Sequence, residues 1–473
     1  MAFGLRALFK SGEAGRYEAI KVLILSVVYF LVIVTYTLVR NMKNSIFIGV
    51  VGKEYIPIAK IAAIFILVPA LLFYAYLVDN VRRYQLLMIY SAFFGLALLL
   101  SAFYIGNPEN GLANTDTSPY RIFGWIFYFL LEGYSPFVLS VFWAYVNSVN
   151  SPTSAKKHYG IMIASSKLGG IVAAGLSWLF LQLTTSTGSQ LYSDVVNHQI
   201  LLIASAGSVL CIPVLIYILN RKVPKQYLHG YEAVYQFEKE RKEHHEEKPG
   251  IFDGLTMFLK WPYLFGIFGM VFFYEVVTTI LSYQSLCIAQ DSAKGLTEVS
   301  SFLLQLDLWM HLAGLFISLL GTSYMMSRFG ERICLLLIPI LTGVVLTVFL
   351  MSYSSWSIML AFVFLRSINY AFALPVRESL YIPTVKEMKF KSKSWIDAFG
   401  SKLSKGTGSG FNVLAGIIER VYPVFVFPFF VAVFAVITAL WTLTAYLMGK
   451  RFDQAIKNKE AIGGEVQEHG HVS

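Results

Sequence analysis

The chain of 473 residues is 56% hydrophobic and 16% aromatic, with only 14% charged residues and a mean hydropathy of +0.61. A water-soluble domain carries about 25% charged residues, so this composition excludes a soluble enzyme or a soluble binding module. The formal charge of +10 is no nucleic-acid signal either, because it lies mostly in short segments between apolar runs.

Those runs recur at about 20 residues, the length that crosses a bilayer core. Residues 1–18 read as a short, basic cytoplasmic lead. No small-residue cleavage site follows the apolar run after Lys21, which argues against a signal peptide. Six spans are expected at about 19–43, 55–78, 86–105, 121–147, 159–183 and 199–219, together an N-terminal half over 19–220. The loop GNPENGLANTDTSPY between the third and fourth has the Pro, Gly and Asn that turns use. Residues 221–258 are dense in both charge signs and read as a solvated cytoplasmic linker. His244 and His245 in it belong to that charged face rather than to a metal site, and no cofactor is implied anywhere. Six further spans follow at about 259–289, 300–325, 332–352, 355–383, 394–419 and 422–449, a C-terminal half over 259–449. Residues 450–473 are expected to be a disordered cytoplasmic tail. Cys211, Cys287 and Cys334 are scattered through apolar runs, which suits neither a disulfide framework nor a metal cluster.

Lys and Arg counts orient the spans. With both termini inside, 26 fall on the cytoplasmic side, 6 on the opposite side and 6 within spans, an asymmetry that fits the positive-inside rule. The halves also echo each other at an offset of 235: FYFL at 127–130 meets FVFL at 362–365, and SKL at 166–168 meets SKL at 401–403. The expected fold is an all-α polytopic membrane protein, twelve transmembrane helices in two six-helix halves, major-facilitator-like.

Charged residues inside spans carry the functional reading, since each costs roughly 2.5–3.5 kcal/mol on insertion scales. The stretch 365–410 holds Arg366, Arg377, Glu378, Asp397, Lys402 and Lys405. A mostly cationic set of that size suits a wet cavity that takes an anionic solute. Arg366 and Arg377, eleven apart, are expected on one helix face, with Arg377 the ligand contact because a guanidinium matches phosphate or carboxylate oxygens in pairs. Asp397 orders the start of the eleventh span, and Gly406, Gly408 and Gly410 are expected to allow close backbone approach. Arg40 and Lys43 share a face at the end of the first span, either as ligand contacts or as interfacial anchors. Glu132 and Glu275 sit mid-span, and each needs a cation, a proton or a solute, or else forms a buried ion pair. Asp307 and His311, four apart, read as a polar pair or a proton relay. SKGTGSG lacks the spacing of an ATPase phosphate loop, and no nucleophile–base, HExxH or CxxC pattern is present.

Several stretches, in order, resemble the ATP:ADP antiporter (nucleotide translocase) family of intracellular bacteria and plastids. YTLVRNMKNSIFIGVVGKEYIPIAKI resembles the family's first helix and its approach to the second, and FYFLLEGYSPFVLSVFWAYVN its fourth, with Glu132 at the family's glutamate. FFYEVVTTILSY resembles the seventh helix with Glu275. YAFALPVRESLYIPTVKEMKFKSKSWID and SKLSKGTGSG resemble its KEM, KxKxxID and GKSGG blocks. The likeness covers roughly residues 20–450. It implies a secondary transporter that exchanges ATP for ADP, with family roles carried to Lys43, Glu132, Glu275 and Arg377. Asn44 replaces the family's aspartate, Arg377 replaces its lysine, and its tryptophan is absent around Glu132. These departures mark a divergent member with scope for a shifted substrate.

The expected function is therefore nucleotide exchange by alternating access. Arg40, Lys43, Arg377, Lys402 and Lys405 bind substrate, and Glu132, Glu275, Glu378 and Asp397 couple or gate. The protein is expected to be a monomer in a bacterial cytoplasmic membrane, to bind no nucleic acid and not to be an enzyme. The alternatives are a proton-coupled symporter of another nucleotide or organic anion and, more remotely, a membrane-embedded transferase.

Overall fold

A computed structural model describes residues 12–150, 152–185, 193–224, 227–228, 260–320, 322–384, 396 and 400–463. Most of the expected linker, the last ten residues of the tail and Asp397 lie outside the described residues.

Helices occupy all twelve expected positions. In order they are α1 (Gly12–Val50), α2 (Ile56–Asn80), α3 (Arg83–Tyr104), α4 (Ile122–Glu132), α5 (Ser140–Val149), α6 (Pro152–Thr185), α7 (Asp194–Lys222), α8 (Pro262–Ser292), α9 (Leu296–Leu320), α10 (Thr322–Ser352), α11 (Ser355–Ile368), α12 (Leu374–Ser379), α13 (Ser401–Val421) and α14 (Val426–Lys457). Among the described residues nine helical stretches are long and apolar enough to cross a membrane. The α4–α5 and α11–α12 spans are each divided by a π-helical turn, at Ser135–Leu139 and at Asn369–Ala373. The run of Ser, Gly and Lys in SKLSKGTGSG makes α13 the least apolar long helix.

Local chemistry sets the ends. Ser354 and Ser357 form a reciprocal capping box that starts α11. Gly330, at φ +72°, breaks α10 into a short lead and a long span, a backbone state that glycine adopts without steric cost.

Contacts group the chain into two units, Met1–Glu247 with Ala289–His311, and Lys248–Ile288 with Leu312–Ser473. In the first, α1 is the central helix. It packs on α4, α6 and α7, and polar side chains stitch those crossings: Ser165 donates to Ser26 O at 2.8 Å and Tyr134 to Val32 O at 3.1 Å. Gly169 lies so close to α1 that a Cβ there would meet Phe30 O at 2.6 Å. Residues 289–311 join this unit because Asp194 caps the start of α9. Its carboxylate accepts the N–H groups of Leu296 and Thr297, each at 3.0 Å, and the hydroxyl of Thr297 at 2.5 Å. His198 and Ser300 meet at 2.8 Å one turn on. In the second unit α10 packs on α14 and α11. Arg451, near the end of α14, holds Glu460 beyond it at two points, which keeps that carboxyl below its ordinary value. Ile462 N then donates to Pro383 O at 2.7 Å.

Candidate functional site: carboxylate-paired cations in both units

In the first unit α1 presents two cations one turn apart, and each is met by a carboxylate from another helix. Lys43 is buried; its ammonium pairs with Glu132 at the end of α4 and lies 4.5 Å from the centre of the Tyr128 ring. Tyr128 is fully buried one turn before Glu132, so one helix supplies both the ring and the acid. Arg40 pairs with Asp307 of α9 and lies over Tyr36 at 5.6 Å. Asp307 is 1% exposed, and its second oxygen accepts from Asn41 Nδ2 at 2.8 Å. A desolvated carboxylate needs this degree of satisfaction.

In the second unit Glu275 of α8 accepts from Ser401 at 3.3 Å and lies 3.8 Å from Lys405, both on α13. Lys402 is half-buried on the same helix. Gly408 lets α13 approach α8 closely: a Cβ there would meet Thr279 Cβ at 2.8 Å and Val276 O at 2.9 Å. Gly410 has nothing within 4 Å of such a Cβ, so the expected close approach does not extend to it.

The two π turns lie at matching places in the two units, each a few residues after a charged side chain, Glu132 in one and Arg366 in the other. A π turn admits one extra residue and often marks a functional site. Its presence corrects one expectation. Eleven residues of uninterrupted α-helix would bring Arg377 to within about 20° of Arg366. The extra residue turns Arg377 about 80° away, so the two do not share a face. Arg377 and Glu378 are half-buried on α12, and the Arg377 side chain makes no ion pair or hydrogen bond among the described residues. Asp307 pairs with Arg40 of α1, and the His311 ring packs where a Cβ on Gly170 would fall.

Sequence reasoning had no signal for Tyr128 beneath Lys43, for Asn41 on Asp307 or for the π turns. All three depend on which helices pack together. The aromatic and amide side chains look ordinary in an apolar run.

Apolar spans, two helical units and paired charges inside them define a polytopic secondary transporter. A D-xylose–proton symporter shares the fold, with a TM-score of 0.61 at 13% identity over 92% of this chain and 97% of that one. The chain belongs to the TLC ATP/ADP transporter family, whose model matches residues 13–452. It is 24% identical to ADP,ATP carrier protein 1 of Chlamydia muridarum, over 94% of this chain and 90% of the relative. It is 20% identical to ADP,ATP carrier protein 3 of Rickettsia conorii, over 88% and 91%.

Proposed function

We propose that this protein exchanges nucleotides of the ATP/ADP type across a membrane by alternating access. The observation that carries the reading is that cations inside the spans already hold carboxylates: Lys43 with Glu132, Arg40 with Asp307, and Lys405 with Glu275. A phosphate chain offers the same charge as those carboxylates and competes for the same donors. Arg40, Lys43, Arg377, Lys402 and Lys405 take the phosphates in this reading, and Glu132, Glu275, Glu378 and Asp397 take the cations back as substrate leaves. Breaking a buried pair by removing one partner costs about 3–5 kcal/mol. Substrate is therefore needed to release the carboxylates, and an empty carrier stays where it is until a second nucleotide arrives. That is the condition for exchange.

The names of the Chlamydia and Rickettsia relatives support ATP and ADP as the exchanged pair. Their bacterial sources and the Lys and Arg asymmetry support a bacterial cytoplasmic membrane with both termini inside. We read the transporting unit as a monomer.

The test is uptake of labelled ATP into proteoliposomes, with and without ADP loaded inside. Uptake that depends on the load is the expected result. Uptake that ignores it and collapses with a protonophore would replace exchange by proton symport.

A further inference from the structure

Arg366 differs from Arg40, Lys43 and Lys405, the cations that hold carboxylates. It lies in the last turn of α11, just before the π turn. Its Nη2 donates to Ser282 Oγ of α8 at 3.4 Å, a long bond, and the guanidinium sits 4.9 Å from the centre of the Phe362 ring. Its Nε is buried and meets no acceptor. Among the described residues no carboxylate lies within ion-pair distance, whereas Arg40, Lys43 and Lys405 each have one. A guanidinium has five N–H donors and cannot shed its charge. Among the described residues, one weak bond to a neutral hydroxyl is the hydrogen bond this guanidinium makes, in an apolar span where an uncompensated cation is costly. Ser282 spends its own proton on Thr278 O at 2.6 Å, so its oxygen is left to face the guanidinium as an acceptor. The serine aims the arginine and does not neutralise it.

We propose that Arg366, aimed by Ser282, is a phosphate-contact residue of the C-terminal unit, its planar fork taking two oxygens of a nucleoside di- or triphosphate. This rests on the nucleotide reading above and adds to it a residue selected by the π turn. Because Arg377 is turned about 80° from this face, Arg366 acts at its own position and not as one jaw of a two-arginine clamp. The apolar ring beneath it strengthens the contact by excluding water from one side.

The experiment compares wild type with Arg366→Gln, Arg366→Lys and Ser282→Ala. Two readouts are used: KM and Vmax for ADP in ADP-loaded proteoliposomes, and the shift in Tm produced by ADP, adenosine, pyrophosphate or phosphatidylglycerol in detergent. Losing a charge-assisted contact is expected to raise the ADP KM about 10–100-fold in Arg366→Gln, with a ligand-free Tm that does not fall, because an uncompensated cation has been removed. Arg366→Lys recovers part of the loss because an ammonium keeps the charge without the fork. Ser282→Ala moves KM by about threefold. Wild type is stabilised by ADP and pyrophosphate and not by adenosine, and Arg366→Gln loses both shifts. A folded Arg366→Gln with wild-type KM and wild-type shifts overturns the proposal. So does an Arg366→Gln that fails to fold beside an Arg366→Lys with unaltered KM. Stabilisation by phosphatidylglycerol alone would assign the guanidinium to a lipid headgroup and also overturn it. If wild type transports no nucleotide, the exchange reading falls. The pyrophosphate shift then decides the subsite independently: its loss in Arg366→Gln upholds the contact for another phosphate compound, and its absence in wild type rejects it.

Discussion

Removing the charge of Glu132 leaves the Lys43 ammonium against the Tyr128 ring with no carboxylate. If that pair holds the empty carrier still, Glu132→Gln loosens coupling before it loosens binding. Efflux of labelled ADP into nucleotide-free buffer is expected to rise about tenfold relative to exchange, for a charge-assisted bond of about 1.5 kcal/mol. An unchanged ratio would take Glu132 out of gating. The Arg40–Asp307 pair makes a different demand, because Asp307 is almost completely buried and Asn41 shares it. Asp307→Asn removes the buried carboxylate that pairs with Arg40 and should cost about 3–5 kcal/mol, read as a fall in Tm. Adding Arg40→Gln removes the other charge of the pair and should restore part of that stability. Exchange is the discriminating measurement: if Arg40 takes a phosphate, the double variant regains its Tm and not its transport. Recovery of both would make Arg40 a structural residue.

Among the helices, α13 gives the sharpest contrast. Gly408 and Gly410 are two residues apart in the same SKGTGSG run, yet only Gly408 lies against the backbone of α8. Gly408→Ala pushes a methyl group into Val276 O and Thr279 and should destabilise by about 1–3 kcal/mol. Gly410→Ala meets open space and should stabilise by up to about 1 kcal/mol through helix propensity. Circular-dichroism melts of the two variants in one detergent check the sign, and equal shifts would contradict the packing. The sequence cannot separate these glycines, since composition is blind to which face meets a neighbour. The same limit explains the other losses at this scale. The alternation of apolar runs and basic loops located every helix, because the bilayer imposes a length and a charge rule on each span. Mid-span acids were legible as Glu132 and Glu275 because a short charged side chain cannot reach the interface. Lys43 and Lys405 were legible among the cations those acids pair with, but which cation meets which acid was not, because they come from other helices and only packing brings them near. The π turns were not legible either: Pro136 in SPFVL disturbs a helix without saying that it widens to a π turn, and NYAFA is helix-compatible. That single extra residue is enough to undo the spacing argument that joined Arg366 to Arg377.

Across the whole chain, the orientation in the bilayer is set by terms spread over many loops, which is why composition speaks to it so directly. Moving basic residues across a membrane is disfavoured, and 26 of the 38 Lys and Arg would lie outside, against 6 inside, if the chain were inverted. The proposed orientation puts the loop clamped by Arg121, whose guanidinium donates to the carbonyls of Gly111, Asn114 and Asp116, on the extracytoplasmic side. It puts the end of α14 on the cytoplasmic side. Two exposed positions test this, Thr115 in that loop and Lys457 at the last turn of α14. In a background where Cys211, Cys287 and Cys334 are replaced by serine or alanine, a membrane-impermeant maleimide applied to intact cells should label Thr115→Cys and spare Lys457→Cys. Permeabilised cells should label both. The reverse pattern would invert the topology and place the basic loops outside. It would also exchange the sides from which Glu132 and Lys43 are approached, so the direction of nucleotide entry in reconstituted vesicles is interpretable only once this labelling has been done.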